Sequence, residues 1–444
     1  FRSITRTATT FNWQRGIRFF RLSLSNPERV EGLEELDAIY SNQCPHCFEL
    51  GFIDFLNTQY LNATSILNEV VEDIYQGNTD TVNAKLFNLY NNNLKKGVAQ
   101  VFNRNSSDRT ELDYLYKFEA NAAKFAAYKS AYVAKTLRDI NEKDREHFKE
   151  KAKNTLKRFN RYQVSEYTTL VARCRTAKQF TQFSRMSDKF PNLEWVRSRS
   201  ASPRELHLQF AGLVLPITDA FWSRHQPGDL YGCKCDVKQS RKPLTVVPDE
   251  ADKVVPSVGL EGNPFRTRVA YTEKHPYFSE KRIGGKERTE VDTYVQNHLL
   301  GYFRNDKGAL IAPFGDYAND LNDLRVIAKH FSDSGEKVFI MPKITHFEND
   351  LYKSLFRGAY SRKCPDLLVS NKYIEYESWD TLTDKTLNRM VNKAIGQADN
   401  IIVDIRNTEF TIRDIEDKLR AKINKKMTIN SAYALTEKGV IQVL

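Results

Sequence analysis

From Gly51 to about Phe183, apolar residues return at every third or fourth position. One series is Leu86, Leu89, Leu94, Val98 and Val101. A second is Leu112, Leu115, Phe118, Phe125 and Tyr128, and a third is Phe148, Leu156, Phe159, Val164, Tyr167 and Leu170. Strands repeat every two residues, so this spacing predicts long amphipathic helices packed as a bundle or an elongated hairpin. The aromatic stripes then belong to the core. The Lys- and Arg-rich faces near Lys149 to Arg161 are read as solvated, with nucleic-acid contact as the alternative.

Beyond Phe183 the pattern breaks into shorter pieces. Pro243 to Pro264 mixes Pro, Gly, Val and charge and reads as a linker or draped arm. Arg282 to Glu290, with its Gly-Gly and charge cluster, is the expected second domain boundary. After it, Leu321, Leu324, Ala328 and Phe331 space a helix, and Lys337 to Ile344 is strand-like. Asp350 to Phe356 is a short helix, and Leu387, Met390, Val391, Ala394 and Ile395 mark another. Asn400 to Ile405 is a buried-strand run, Ile412 to Ile423 a further helix, and Val440 to Leu444 a last strand. The expected fold class is α+β: long helices and a middle module, then a small α/β domain with a central sheet. The boundaries are an N-terminal extension over 1–60, the middle module over 61–245, an arm and linker over 246–289, and the last domain over 290–444.

A chain of 444 residues has room for two or three domains, and 41% hydrophobic content supports a packed core. The net charge of +11 suits a polyanionic partner or simple solubility. No apolar run approaches a membrane span. Phe1 to Ser25 is rich in Arg, Ser and Thr and lacks acids, a composition shared with transit peptides, but it is read here as part of the extension. Six cysteines in so long a chain make no disulfide scaffold, and a reduced, intracellular setting is expected. Cys44-Pro-His-Cys47 suits half a zinc site or a redox pair, although no second C-x-x-C follows.

Pro365 to Arg406 concentrates the chemistry. Leu367 to Val369 and Tyr373 to Tyr376 are apolar runs broken by Ser370, Asn371 and Lys372, a hairpin signal. With Asn371-Lys372 as a two-residue loop, Ser370 faces Tyr373, Leu368 faces Glu375 and Asp366 faces Glu377. Alternation then places Leu367, Val369, Ile374 and Tyr376 on a core face, and Asp366, Glu375 and Glu377 on the other, around Leu368. Three carboxylates on one face need a cation, an arginine or a proton to coexist. A divalent metal site or an acid/base pair meets that need, and a solvated face is the alternative.

The order Pro365-Asp366, hairpin, Glu375, helix, then Gln397-Ala398-Asp399 and Asp404 resembles the C-terminal tRNase domain of CdiA-type contact-dependent inhibition toxins. The resemblance covers roughly Glu290 to Leu444. It implies a toxin-like nuclease, with Asp366, Glu375 and Gln397 as catalytic candidates carried by the match, to which the hairpin face adds Glu377 and intrinsic pKa adds His346. Arg362, Lys363 and Arg406 are candidates for gripping phosphate. Nucleases of the PD-(D/E)xK pattern carry Lys where this chain has Glu377. That departure favours metal-free RNA cleavage by the ribose 2′-OH, with His346 as the natural acid/base by its intrinsic pKa. No cofactor is required on that reading, and a divalent metal is required if the substrate is DNA. Lys343 and Arg357 are further basic candidates.

The middle of the chain carries Arg204-Glu-Leu-His207, Gly212, Asp219, Phe221-Trp222, Pro227 and Gly232-Cys233-Lys-Cys235. This resembles the Mu F-like minor head proteins of phages, the head morphogenesis family, over roughly Leu61 to Tyr277. Asn263-Pro264-Phe265 and His275-Pro276-Tyr277-Phe278 fit that family's tail, and Ser200 departs from its usual Asp. The resemblance implies a phage or prophage minor capsid protein, in the virion or the cytoplasm of the bacterial host. It also implies portal and capsid proteins as partners, with tRNA or other RNA and an immunity protein as partners of the nuclease. A purely structural head protein with a non-catalytic C-terminal domain is the main alternative. His207, Cys233 and Cys235 are zinc-competent, with Asp219, Asp236 or His225 as a fourth ligand. The alternative is a pair of buried thiols beside a core histidine.

Overall fold

The computed structural model describes residues 35, 36, 40, 65–198, 205–306, 309–314, 320–425 and 427–444. The expectations for Cys44, Cys47, Ser200 and Arg204, and for nearly all of the 1–60 extension, lie outside the described residues. The fold is mixed α+β, helical in the N-terminal part and sheet-containing in the C-terminal part. Among the described residues no helix is long and apolar enough to cross a membrane.

The three hydrophobic series form three long helices, except that Val101 of the first falls in the turn beyond its helix. They are α1 (Ala84–Ala99), α2 (Arg109–Arg138) and α3 (Arg145–Arg185), each N-capped by the side chain of Asn83, Asp108 or Asp144. Every member of the third series is buried. Helix α2 departs from the amphipathic expectation, because Tyr114 through Ala134 is buried on all sides. Elements from both ends of the chain surround it, so its charged residues acquire buried partners. Lys129 pairs with Glu166, both 1% exposed, and Lys124 pairs with Asp350 at 2.9 Å.

A small sheet follows. Strand β1 (Asn192–Val196) lies between β2 (Val214–Pro216) and β3 (Asp236–Ser240), all antiparallel. Trp195, Phe210, Phe221 and Trp222 fill its core against Phe180 of α3.

At the expected second boundary the chain is packed. Ile283 is buried, and Arg282 donates to the Tyr132 hydroxyl at 2.6 Å. Gly285 opens α4 (Gly285–Leu300), whose Val291, Val295 and Leu299 share one core with α1 and α2.

The C-terminal sheet is larger than expected. Its eight strands run in the order β11-β10-β9-β8-β7-β6-β5-β4. They are β4 (Arg304–Asp306), β5 (Ala309–Ile311), β6 (Val338–Ile340), β7 (Leu367–Val369), β8 (Lys372–Glu377), β9 (Asn400–Asp404), β10 (Ser431–Thr436) and β11 (Gly439–Gln442). The helices are α5 (Leu321–Asp333), α6 (Asp350–Leu355), α7 (Asp384–Ile395) and α8 (Ile412–Ile423). The β8–α7–β9 crossover joins parallel strands, whereas β6, β7 and β8 form an antiparallel meander. One face packs on α5 through Leu367, Val369, Ile374 and Tyr376, the residues expected on the core face. The other face is divided. Leu368 and Phe339 join the core shared with α2 and α4, while Ile401 and Val403 pack under α7 and α8. The acids lie on the divided face.

Candidate functional site

The hairpin loop differs from the expected one by a residue. Val369 pairs with Lys372 and Leu367 with Ile374, so the loop is Ser370-Asn371. Both loop residues have positive φ, 44° and 71°, the geometry of a type I′ turn. Lys372, with no such φ, belongs to the strand. Every pair therefore moves by two residues, and Asp366 comes opposite Glu375 instead of Glu377. A two-residue shift keeps each side chain on its face, so Asp366, Glu375 and Glu377 remain on the same side as Leu368.

These acids do not stand in an open cleft. Asp366, Glu375 and Glu377 are 5%, 2% and 4% exposed. Two lysines and a glutamine cover them. Lys343, just beyond β6, donates to Asp366 Oδ1 at 2.6 Å and to the Cys364 carbonyl at 3.1 Å. Asp366 Oδ2 accepts from the Tyr376 backbone N–H at 3.0 Å. Lys393, on the sheet-facing side of α7, sits 2.7 Å from both Glu377 oxygens. Gln397, one turn further, donates to Glu375 and to Glu377 Oε1, the latter at 3.3 Å. Glu375 Oε2 is buried with no partner among the described residues.

Charge accounts for the protonation pattern. Three carboxylates face two ammonium groups, one negative charge in excess. Burial, then Asp366, pushes Glu375 up to about 9. Burial works against the charged form of Lys343, but Asp366 and Glu375 outweigh it and hold its pKa up. Asp320, just before α5, is raised by burial and by Asp366. The site is thus a buried carboxylate cluster carrying a proton at neutral pH, with Lys343 and Lys393 reaching solvent above it. One orphaned carboxylate oxygen lies beside two further carboxylates, although among the described residues the three side chains do not converge closely enough to share one ion.

Of the other catalytic candidates, Gln397 lies in the cluster and His346 does not. His346 is exposed at a positive φ of 63°. Burial, then Arg268 and Lys117, lowers its pKa, and the charges acting on it lie outside the acid cluster. The phosphate-gripping candidates are placed elsewhere too. Arg406 packs on the opposite face, where it binds Asp404 and Asp323 beside the Tyr376 hydroxyl. Parity explains this: Tyr376 alternates with Glu375 and Glu377, and Arg406 follows Tyr376. Arg362 is exposed and meets Glu348 at 3.8 Å. Lys363 is half-buried, and its carbonyl accepts from Tyr352.

Lys393 and Asp320 were missed from the sequence. The one signal for Lys393 was its place four residues before Gln397, within reach of the same side of α7 and its C-terminal turn. Asp320 had none.

A second cluster lies beside the small sheet. His207, in a short helix at Glu205–Leu208, is 3% exposed, and its Nε2 lies 3.1 Å from Asp229 Oδ1. Its Nδ1 faces Cys233 Sγ at 3.4 Å and Cys235 Sγ at 3.6 Å. The two thiols form no disulfide. Burial disfavours the charged imidazole, but Asp229 and Cys233 outweigh it and push His207 up to about 10. Of the expected fourth ligands, Asp219 caps the Phe221 N–H at 2.8 Å and Asp236 accepts from Gln179 at 3.0 Å. His225 is buried, but lies outside the group that a single ion would span.

No protein-family model, curated protein or solved structure matches the chain.

Proposed function

We propose that the chain is a phage or prophage minor head protein whose C-terminal part hydrolyses phosphodiester bonds at Asp366, Glu375 and Glu377, with RNA as substrate. The observation that carries the nuclease reading is the buried carboxylate trio with one orphaned oxygen, roofed by two lysines. The head-protein part rests on the resemblance of Leu61 to Tyr277 to the Mu F-like proteins, and RNA as substrate on the resemblance to CdiA-type tRNases.

A divalent cation would be held by Asp366 and Glu375, with Glu377 beside them, and would supply Lewis-acid stabilisation of charge on the scissile phosphate. The chain's own residues do the rest. Asp366 is oriented by the Tyr376 N–H and Lys343. Gln397 ties Glu375 to Glu377 by donating to both. Lys393, whose side chain is 58% exposed, offers its ammonium to an incoming phosphate and holds the site's charge near neutrality. The pattern's lysine position holds Glu377, and Lys393 brings an ammonium to it from the next helix. The metal-free route loses support, because among the described residues no hydrogen bond or ion pair joins the His346 ring to the acids, and the charges acting on it belong to Arg268, Lys117 and Asp113.

Full-length protein incubated with total tRNA, and separately with duplex DNA, tests the reading. Cleavage of tRNA that stops in EDTA and returns with Mg²⁺ or Mn²⁺ is expected, as is its loss in Asp366→Asn. Cleavage of DNA alone replaces RNA by DNA as substrate. Cleavage indifferent to EDTA refutes the metal-assisted mechanism. Absence of cleavage under all conditions leaves a structural head protein.

A further inference from the structure

We propose that His207 Nδ1, Cys233 Sγ and Cys235 Sγ form a three-ligand site for a thiophilic divalent ion, Zn²⁺ by preference, with Asp229 orienting the histidine and the fourth position filled from solvent. This site is independent of the nuclease reading. It sits in the small-sheet module, on different residues.

Geometry is the first argument. With metal–sulfur bonds of about 2.3 Å and metal–nitrogen bonds of about 2.0–2.1 Å, a tetrahedral ion has S···N edges of about 3.6 Å. The two observed S···N separations are 3.4 and 3.6 Å. All three donor atoms lie within 4.8 Å of one another. Two sulfurs converging on one nitrogen describe a face of a coordination tetrahedron.

The surroundings are the second argument. Metal-binding histidines typically present their far nitrogen to a carboxylate, which sets tautomer and ring orientation. Asp229 Oδ1 lies 3.1 Å from Nε2 and is 0% exposed, at ion-pair distance but not aligned as a hydrogen bond. Gly228 and Gly232, at φ 91° and 71°, turn the loop that delivers Asp229 and Cys233 to one point. Cys235 then leads directly into β3. A bound ion would join the 205–208 helix to the loop before β3, two segments also linked by the Asp229–His207 pair and by packing around Trp195. Cys-x-Cys leaves too short a loop to wrap an ion alone, and His207 supplies the third direction.

The test uses the full-length protein. Metal analysis after gel filtration should find about one zinc per chain. Co²⁺ exchanged into the site should show sulfur-to-metal charge-transfer absorption, which the all-oxygen site at Asp366 cannot give. Both signals should persist in Cys44→Ser/Cys47→Ser and vanish in Cys233→Ser/Cys235→Ser. Asp229→Asn should retain the ion and weaken its binding by about 10- to 100-fold. Thiol titration guards against a misfolded variant: in the native protein Cys233 and Cys235 should be unreactive until a chelator is added. Metal-free protein that takes up no Co²⁺ overturns the proposal. So does a charge-transfer band that survives Cys233→Ser/Cys235→Ser. Rapid alkylation of Cys233 alone, unchanged by chelator, also overturns it and identifies an Asp229–His207–Cys233 nucleophile instead.

Discussion

Glu375→Gln should make this protein more stable at neutral pH and inactive. The folded chain holds Glu375 up to about 9, through burial and then Asp366, against an ordinary value of 4.5. Between those values the native state retains a proton that the unfolded chain has released. Stability therefore falls as pH rises across the window, by about 1.36 kcal/mol per pH unit. At pH 7 the span is about 2.5 units, so the wild-type chain has lost about 3 kcal/mol relative to its stability at pH 4.5. Glutamine imitates the protonated acid and never titrates. The side chain is 2% exposed, so solvent screening offers little relief. Urea midpoints measured in EDTA from pH 5 to 8 should coincide for the two proteins at the acid end. They should then separate steadily, with the variant above. Mn²⁺ should narrow the gap by stabilising only the wild type. Parallel pH profiles, or a variant equally destabilised at both ends, would refute the buried-charge account.

Three other outcomes follow from the packing. Lys393→Met should reduce the rate of tRNA cleavage by about 10²–10³, as loss of a charge-stabilising donor does, with an unchanged circular dichroism spectrum. An equal loss in the exposed control Lys353→Met would remove the special role of Lys393. Asp350→Ala should cost about 1–3 kcal/mol, because Asn121 loses an acceptor and Lys124 keeps only Glu273 as a counter-charge, whereas the double change Lys124→Met/Asp350→Leu should recover part of it, as denaturation midpoints would report. Asn371→Val should cost about 1–3 kcal/mol, because a β-branched residue resists the φ of 71°, while Asn371→Gly should cost nothing measurable.

Much of the local structure was legible without coordinates, since periodicity is a property of neighbours along the chain. The series ending at Leu170 named α3's buried face, and strand alternation sorted Leu367, Val369, Ile374 and Tyr376 from Asp366, Glu375 and Glu377. The hairpin survived a loop error because the two-residue shift preserved side-chain parity. His207, Cys233 and Cys235 were likewise recognised as a set by their donor chemistry, before any distance was known.

What the sequence by itself determined, then, was where the helices run, which strand faces are apolar, and which residues have the chemistry to act. The tertiary structure alone decided who meets whom. Helix α2 is patterned as a surface helix, and only the elements folding around it from both ends made it central and gave Lys124 and Lys129 buried partners. The charge cluster at 282–290 looks like a linker, yet Ile283 and Val291 find a core through α2. Arg406 lies close in sequence to the acids and packs on the opposite face, whereas Lys393 arrives from α7 and Asp320 from the turn before α5. Local pattern encodes the face a side chain takes. The neutralising charge across that face is a contact between distant segments, set when sheet and helices pack.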